Sequence, residues 1–196
     1  MSKTVDFYYD FISPASYFAF IRLAELCQKN GATINYKPML LGGVFKANGN
    51  TSPITVPAKW EWLKKDFARH AEYYDIPYQL NPHFIFSTIS AMRGAFWALS
   101  EGRIEDYNRA MFKAAWGEGK DLSSPEVISE VLSGAGFDAT VVMEAMAQPE
   151  NKQALIQATE AAAERGVFGA PTMFVNDEIY FGQDRLDWVE RALTTQ

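Results

Sequence analysis

Cysteine is almost absent: Cys27 is the one thiol in 196 residues. That count excludes an internal disulfide, a CxxC redox couple and a cysteine-based zinc cluster. Cys27 falls among Leu23, Ala24 and Leu26 in a helical pattern and reads as a small buried hydrophobe. Histidine is nearly as scarce. His70 and His83 stand alone, neither in a hydrolase-like motif, so no general base is evident for a serine nucleophile. Lys and Arg number 18 against 24 Asp and Glu, a net charge of -6. That balance argues against nucleic acid as a partner, because phosphate binding needs clustered cations. No apolar run reaches the roughly 18–20 residues of a membrane span. Met1-Ser2-Lys3 leads directly into a strand pattern without the basic and apolar regions of a signal peptide, so the expected location is cytoplasmic.

What the chain does hold is a hydrophobic fraction of 48%, enough for a substantial core. Val5-Asp6-Phe7-Tyr8-Tyr9 is rich in β-branched and aromatic residues and reads as a half-buried strand. Asp10-Phe11-Ile12 breaks to Ser13, a good N-cap, and Pro14, a good first helical residue. Tyr17, Phe18, Ile21, Leu23, Ala24 and Leu26 then repeat at helical spacing. Ser13 is therefore at least a cap. It also puts a hydroxyl at a helix N-terminus, where free N–H groups and the dipole favour negative charge.

A second strand over 33–39 completes a βαβ unit, hence parallel pairing. Gly42, Gly43, Asn48, Gly49, Asn50, Ser52 and Pro53 are turn formers, and the stretch from Leu41 to Val56 is expected to be a loop. From Pro57 to Arg165 the period is helical. Ser124-Pro125 and Asp138 supply start signals, and Gly102, Gly117, Gly119 and Gly166 supply stops. Thr172 to Val175 and Ile179 to Phe181 flank an Asn176-Asp177 hairpin turn, and Leu186, Val189 and Leu193 mark one face of a last helix. The order is βαβ, helices, ββα. The expected fold class is α/β, a thioredoxin-like domain built from residues 1–45 plus 166–196. An all-helical insertion covers 57–165, with 46–56 as a connecting loop.

The stretch Asp6-Phe7-Tyr8-Tyr9-Asp10-Phe11-Ile12-Ser13-Pro14-Ala15-Ser16-Tyr17 resembles the opening of 2-hydroxychromene-2-carboxylate isomerases and kappa-class glutathione transferases. Gly166-Val167-Phe168-Gly169-Ala170-Pro171-Thr172-Met173-Phe174 and Phe181-Gly182-Gln183-Asp184-Arg185 resemble two further motifs of that family. Gly49-Asn50 with Pro57 and Lys59, and Ser90-Ala91-Met92-Arg93, are weaker matches. The resemblance implies a fold of the DsbA type, in which the four positions of the redox CxxC read Ser13-Pro14-Ala15-Ser16 here. Thiol–disulfide exchange at that turn is chemically closed. The resemblance replaces it with a bound glutathione.

It further implies that Ser13 stabilises the glutathione thiolate, and that a cis Pro171 exposes the Ala170 backbone to the cysteinyl residue. Phe181, Gly182, Gln183 and Asp184 receive the γ-glutamyl end, and Asn50 and Lys59 the glycyl end. A thiol pKa near 8.5 falls by two units for about 2.7 kcal/mol. A helix N-terminus supplies about 1–2 kcal/mol and a hydroxyl bond to a charged sulfur about 1.5–3. Those contributions suffice without any attack by Ser13.

The implied reaction interconverts 2-hydroxychromene-2-carboxylate and trans-o-hydroxybenzylidenepyruvate, with Phe45, Lys46, Trp60 and Phe84 as substrate wall. The naphthalene-pathway members carry basic residues around the positions of Phe45 and Thr55-Val56, where only Lys46 is near here. Relatives suggest a homodimer. Two alternatives stay open: a kappa-like transferase that releases its conjugate, and a non-enzymatic thioredoxin-fold binding module. Calorimetric glutathione binding and product analysis separate the three.

Overall fold

The computed structural model describes residues 3–195. Met1, Ser2 and Gln196, to which the signal-peptide and domain expectations extend, lie outside the described residues. Strand β1 (Lys3–Tyr9) runs into helix α1 (Pro14–Asn30) and then strand β2 (Ala32–Pro38). Helices α2 (Leu41–Asn48), α3 (Pro57–Tyr73), α4 (Ile89–Ser100), α5 (Ile104–Phe112), α6 (Pro125–Gly134), α7 (Ala139–Ala147) and α8 (Pro149–Glu164) follow. Strands β3 (Thr172–Val175) and β4 (Glu178–Phe181) lead into helix α9 (Leu186–Thr194).

Both ends of the chain share one sheet of order β2-β1-β3-β4, parallel between β1 and β2 and antiparallel elsewhere. Strand alternation then sorts the core. Val5, Phe7 and Tyr9 of β1, with Met173 and Val175, face a large core shared with α1, α9 and helices α4 to α8. Tyr8 and Phe174 face the other way, onto Met39, Val44, Ala162 and Val167. Among the described residues no helix is long and apolar enough to cross a membrane.

The loop expected from Leu41 to Val56 is largely not one. Leu41–Asn48 is helix α2 and Pro53–Thr55 a 3-10 turn. Gly42 and Gly43 favour turns locally, but the second face of the sheet needs a cover. Val44 is fully buried there, and a Cβ on Gly43 would stand 2.7 Å from Thr159 Cγ2 of α8. The glycine permits a close helix–helix approach, and burial outweighs propensity. In the other direction, residues 74–88 interrupt the helical stretch with an irregular segment, and α5 runs on into a π-helical turn at Lys113–Gly117, which closes at the Gly117 stop.

Gly94 of α4 offers a direct contest between propensity and packing. An added Cβ would collide with the Tyr107 hydroxyl and lie 2.6 Å from Met146 Cε. Tyr107 is fully buried and donates to the Ala91 carbonyl at 2.7 Å. Helix propensity favours Gly94→Ala by about 1 kcal/mol, whereas overpacking costs about 1–3 and a displaced buried hydroxyl about 1–3 more. The expected net loss is about 2 kcal/mol, a melting temperature lower by about 4–8 °C in thermal unfolding. An unchanged or raised melting temperature would refute the packing account.

Candidate functional site

Ser13 caps α1 in an extended conformation, with Pro14 behind it at the first helical position. Its Oγ accepts from the Ser16 N–H at 3.1 Å. The same hydroxyl donates across the chain to the Ala170 carbonyl, also at 3.1 Å. The cap and the site residue are thus one side chain with two simultaneous bonds. Ser13 is 6% exposed, and low exposure strengthens any charge-assisted bond made there. Ser16, at the fourth position of the turn, is fully buried, and its hydroxyl has no partner among the described residues.

The Ala170-Pro171 peptide is cis, as the resemblance implied. It brings Ala170 against Ser13, although 157 positions separate the two along the chain. The Ala170 N–H has no backbone acceptor among the described residues. The Gly182 N–H donates to the Pro171 carbonyl at 3.0 Å, so the β4 end lies beside the same loop. Asn50 donates through Nδ2 to the Phe168 carbonyl at 2.9 Å. Phe168 and Phe181 lie with ring centroids 4.7 Å apart. A Cβ on Gly169 would stand 2.5 Å from the Phe181 ring, so glycine is required for that ring to lie over the loop.

Gly182 has φ of 105°, open to glycine and strained for other residues. Beyond it, Gln183 and Asp184 point differently. Gln183 is 5% exposed and its side chain turns inward toward Arg22. The Asp184 side chain is 51% exposed and lies 3.2 Å from Arg185.

Of the expected substrate wall, Trp60 and Phe84 meet as a stacked pair with centroids 5.3 Å apart. Phe84 in turn meets Trp116 edge-on at 5.7 Å. The Trp116 indole N–H donates to the Phe11 carbonyl at 2.8 Å, tying this aromatic ladder to the Ser13 turn. Phe45 and Lys46 stand on α2. Lys46 and Lys59 are exposed, and neither forms an ion pair among the described residues. Cys27 is 3% exposed and burial pushes its thiol up to about 11, as fits an inert core residue. His70 is paired with Asp66 at 3.3 Å on α3.

Asp10 is a central residue that the sequence pattern did not single out. It is 2% exposed. Its Oδ1 accepts from the Ile12 N–H at 3.1 Å and the Thr88 hydroxyl at 2.7 Å, and its Oδ2 from the Leu41 N–H at 2.9 Å. One carboxylate therefore ties the Ser13 turn to the starts of α2 and α4. Burial raises its pKa, against the opposing pull of those three donors. The local signal was the Asx-type spacing, an Asp two residues before an N–H at the end of a strand. The partners at Leu41 and Thr88 carry no such signal.

Fold and turn together define a DsbA-like thioredoxin domain, and the family model described as DSBA-like thioredoxin domain matches residues 4–194. A 2-hydroxychromene-2-carboxylate isomerase of Pseudomonas putida is 37% identical over 194 residues, covering 96% of this chain and 93% of that protein. A solved 2-hydroxychromene-2-carboxylate isomerase structure superposes with a TM-score of 0.91 at 34% identity, covering 98% of this chain and 95% of the other. Glutathione S-transferase kappa 1 of Caenorhabditis elegans is 31% identical over 204 residues, covering 96% of this chain and 90% of its own. The chain belongs to the 2-hydroxychromene-2-carboxylate isomerase family of DsbA-like thioredoxin domains.

Proposed function

We propose that this chain is a glutathione-dependent isomerase, interconverting 2-hydroxychromene-2-carboxylate and trans-o-hydroxybenzylidenepyruvate-type aromatic compounds. The observation that carries the proposal is the Ser13 hydroxyl at the α1 N-terminus, held 3.1 Å from the Ala170 carbonyl. A site of disulfide chemistry has there kept its loop and its cis proline but holds no thiol of its own. Support also comes from the relatives, whose names specify the isomerase and, more distantly, a glutathione transferase.

The residues present fit glutathione. Beside Ser13, the Ala170 N–H is without a backbone acceptor among the described residues, and the exposed Asp184 carboxylate at the β4 end suits an ammonium group. Ser13 would hold the sulfur, Ala170 and Pro171 the cysteinyl backbone, and Phe181, Gly182, Gln183 and Asp184 the γ-glutamyl end. Asn50 and Lys59 would serve the glycyl end. When bound, glutathione supplies a thiolate that adds reversibly to the conjugated carbon of the ring-opened substrate, so that a double bond can rotate as a single one. Ser13 keeps the sulfur ionised through its hydroxyl bond, with the α1 dipole behind it. Trp60 and Phe84 supply a flat apolar wall for the aromatic ring. We place the enzyme in the cytoplasm, as a homodimer.

Calorimetric titration with glutathione, followed by product analysis with a hydroxychromene-carboxylate, tests the proposal. Recovery of isomerised substrate without net loss of glutathione supports it. A released conjugate would make the protein a transferase, and no binding at millimolar glutathione would make it a binding module. In the same titration Asp184→Ala is expected to weaken glutathione by about 1.5–3 kcal/mol, the scale of a charge-assisted bond. Its thiolate pKa should stay put, because Asp184 would hold the far end of the tripeptide. Normal binding by this variant would return Asp184 to a partner of Arg185 alone.

A further inference from the structure

Arg22 sits in the middle of α1, the helix that Ser13 caps. Its Nη1 donates to the Gln183 carbonyl at 2.9 Å and reaches Gln183 Oε1 at 3.5 Å. The guanidinium lies 3.7 Å from the ring centroid of Tyr74, at the end of α3. Glu25, Asp187 and Glu190 line the same groove, yet Arg22 forms no ion pair among the described residues. Lys29 lines the groove too and pairs with Glu190 at 2.8 Å, whereas the Arg22 cation is committed to a neutral backbone carbonyl and lies over an aromatic face.

That carbonyl belongs to the 3-10 turn Gln183–Arg185, which carries Asp184. Gln183 is drawn into the protein, 5% exposed. Its neighbour Asp184 stands out with half its side chain exposed. The turn has no side-chain cap bond of its own, so its placement relative to α1 depends on contacts such as this one.

We propose that Arg22 is a positioning residue for the γ-glutamyl end of the ligand, a role that rests on the proposed glutathione site. It does not touch the ligand. It fastens the Asp184 turn to the helix that presents Ser13, so the sulfur end and the ammonium end of a γ-glutamyl thiol are gripped from one rigid element. Arg is required because a single planar group must both stack on Tyr74 and donate to Gln183, which a lysine ammonium cannot do in that geometry.

The test is a double-mutant cycle read by glutathione calorimetry on wild type, Arg22→Ala, Asp184→Ala and the double variant, with thiolate absorbance of bound glutathione as a second readout. Arg22→Ala should bind glutathione about tenfold more weakly, the scale of one charge-assisted bond. Its thiolate titration midpoint should remain that of wild type. In the Asp184→Ala background the same substitution should cost less than about twofold, since the residue acts through Asp184. Additive losses, an unchanged affinity, or a midpoint that moves with the affinity would each overturn the proposal. Should Arg22→Ala not fold, Arg22→Lys carries the same cycle and is expected to fall between wild type and Ala. A wild type that fails to bind glutathione overturns the function and this role together, whereas additive losses in a protein that binds well overturn this role alone.

Discussion

Ser13→Ala is expected to leave a folded protein whose bound glutathione ionises about one to two pKa units higher, and whose kcat/KM for isomerisation falls about a hundredfold. The cause is the loss of one hydrogen bond to a charged sulfur. Such a bond contributes about 1.5–3 kcal/mol, and 1.36 kcal/mol is one pKa unit. The α1 dipole survives the substitution, so the thiol of bound glutathione should stay more acidic than free glutathione. The hydroxyl has one proton, given to the Ala170 carbonyl in the free protein. Serving a sulfur requires that proton to turn, while Oγ continues to accept from the Ser16 N–H. The capping bond is therefore expected to persist with glutathione bound, and its loss adds about 1 kcal/mol of destabilisation that denaturation measures separately. Ultraviolet thiolate absorbance of the complex against pH decides the matter. Identical midpoints for wild type and Ser13→Ala would reduce Ser13 to a cap.

Asp10→Ala is expected to cost about 3–5 kcal/mol of stability, because it strands three buried donors at about 1–3 kcal/mol each, with partial relaxation. Those donors are the Ile12 and Leu41 N–H groups and the Thr88 hydroxyl. The melting temperature should fall by about 10 °C or more. The pH dependence has a definite sign. The Asp10 pKa is raised by burial, so the folded state holds this proton more tightly than the unfolded chain. Its contribution is fully present below the ordinary carboxylate pKa of about 3.9 and is lost as pH rises through the raised value. Glu118, Asp121, Glu126 and Glu190 have lowered pKa values and act oppositely, their contribution vanishing as pH falls. Asp10→Asn removes only the first effect. The stability of wild type minus that of Asp10→Asn should therefore decrease as pH rises from about 4. Denaturant titrations across that range measure it, and a difference that grows with pH would contradict the assignment.

The elements legible in the chain alone are those where a few neighbouring residues decide the backbone. Ser13-Pro14, Ser124-Pro125 and Asp138 start helices as their caps require. Asn176 takes a positive φ of 56° in the hairpin turn between β3 and β4. Ser13 and Pro171 stand out in the sequence as candidate site residues because each is also a local conformational device, a helix cap and a cis proline. The rest depends on packing between segments far apart in the chain. Helix α2 exists because the second face of the sheet must be covered, and Gly43 fits against Thr159 only once α8 is in place. The meeting of Trp60, Phe84 and Trp116 joins three separate segments, and neither periodicity nor composition encodes it. Asp10 and Arg22 look like a loop acid and a surface cation in the sequence. Their roles come from partners 31 and 161 positions away, and a hydrogen bond closed over such a distance depends on every packed element between its ends.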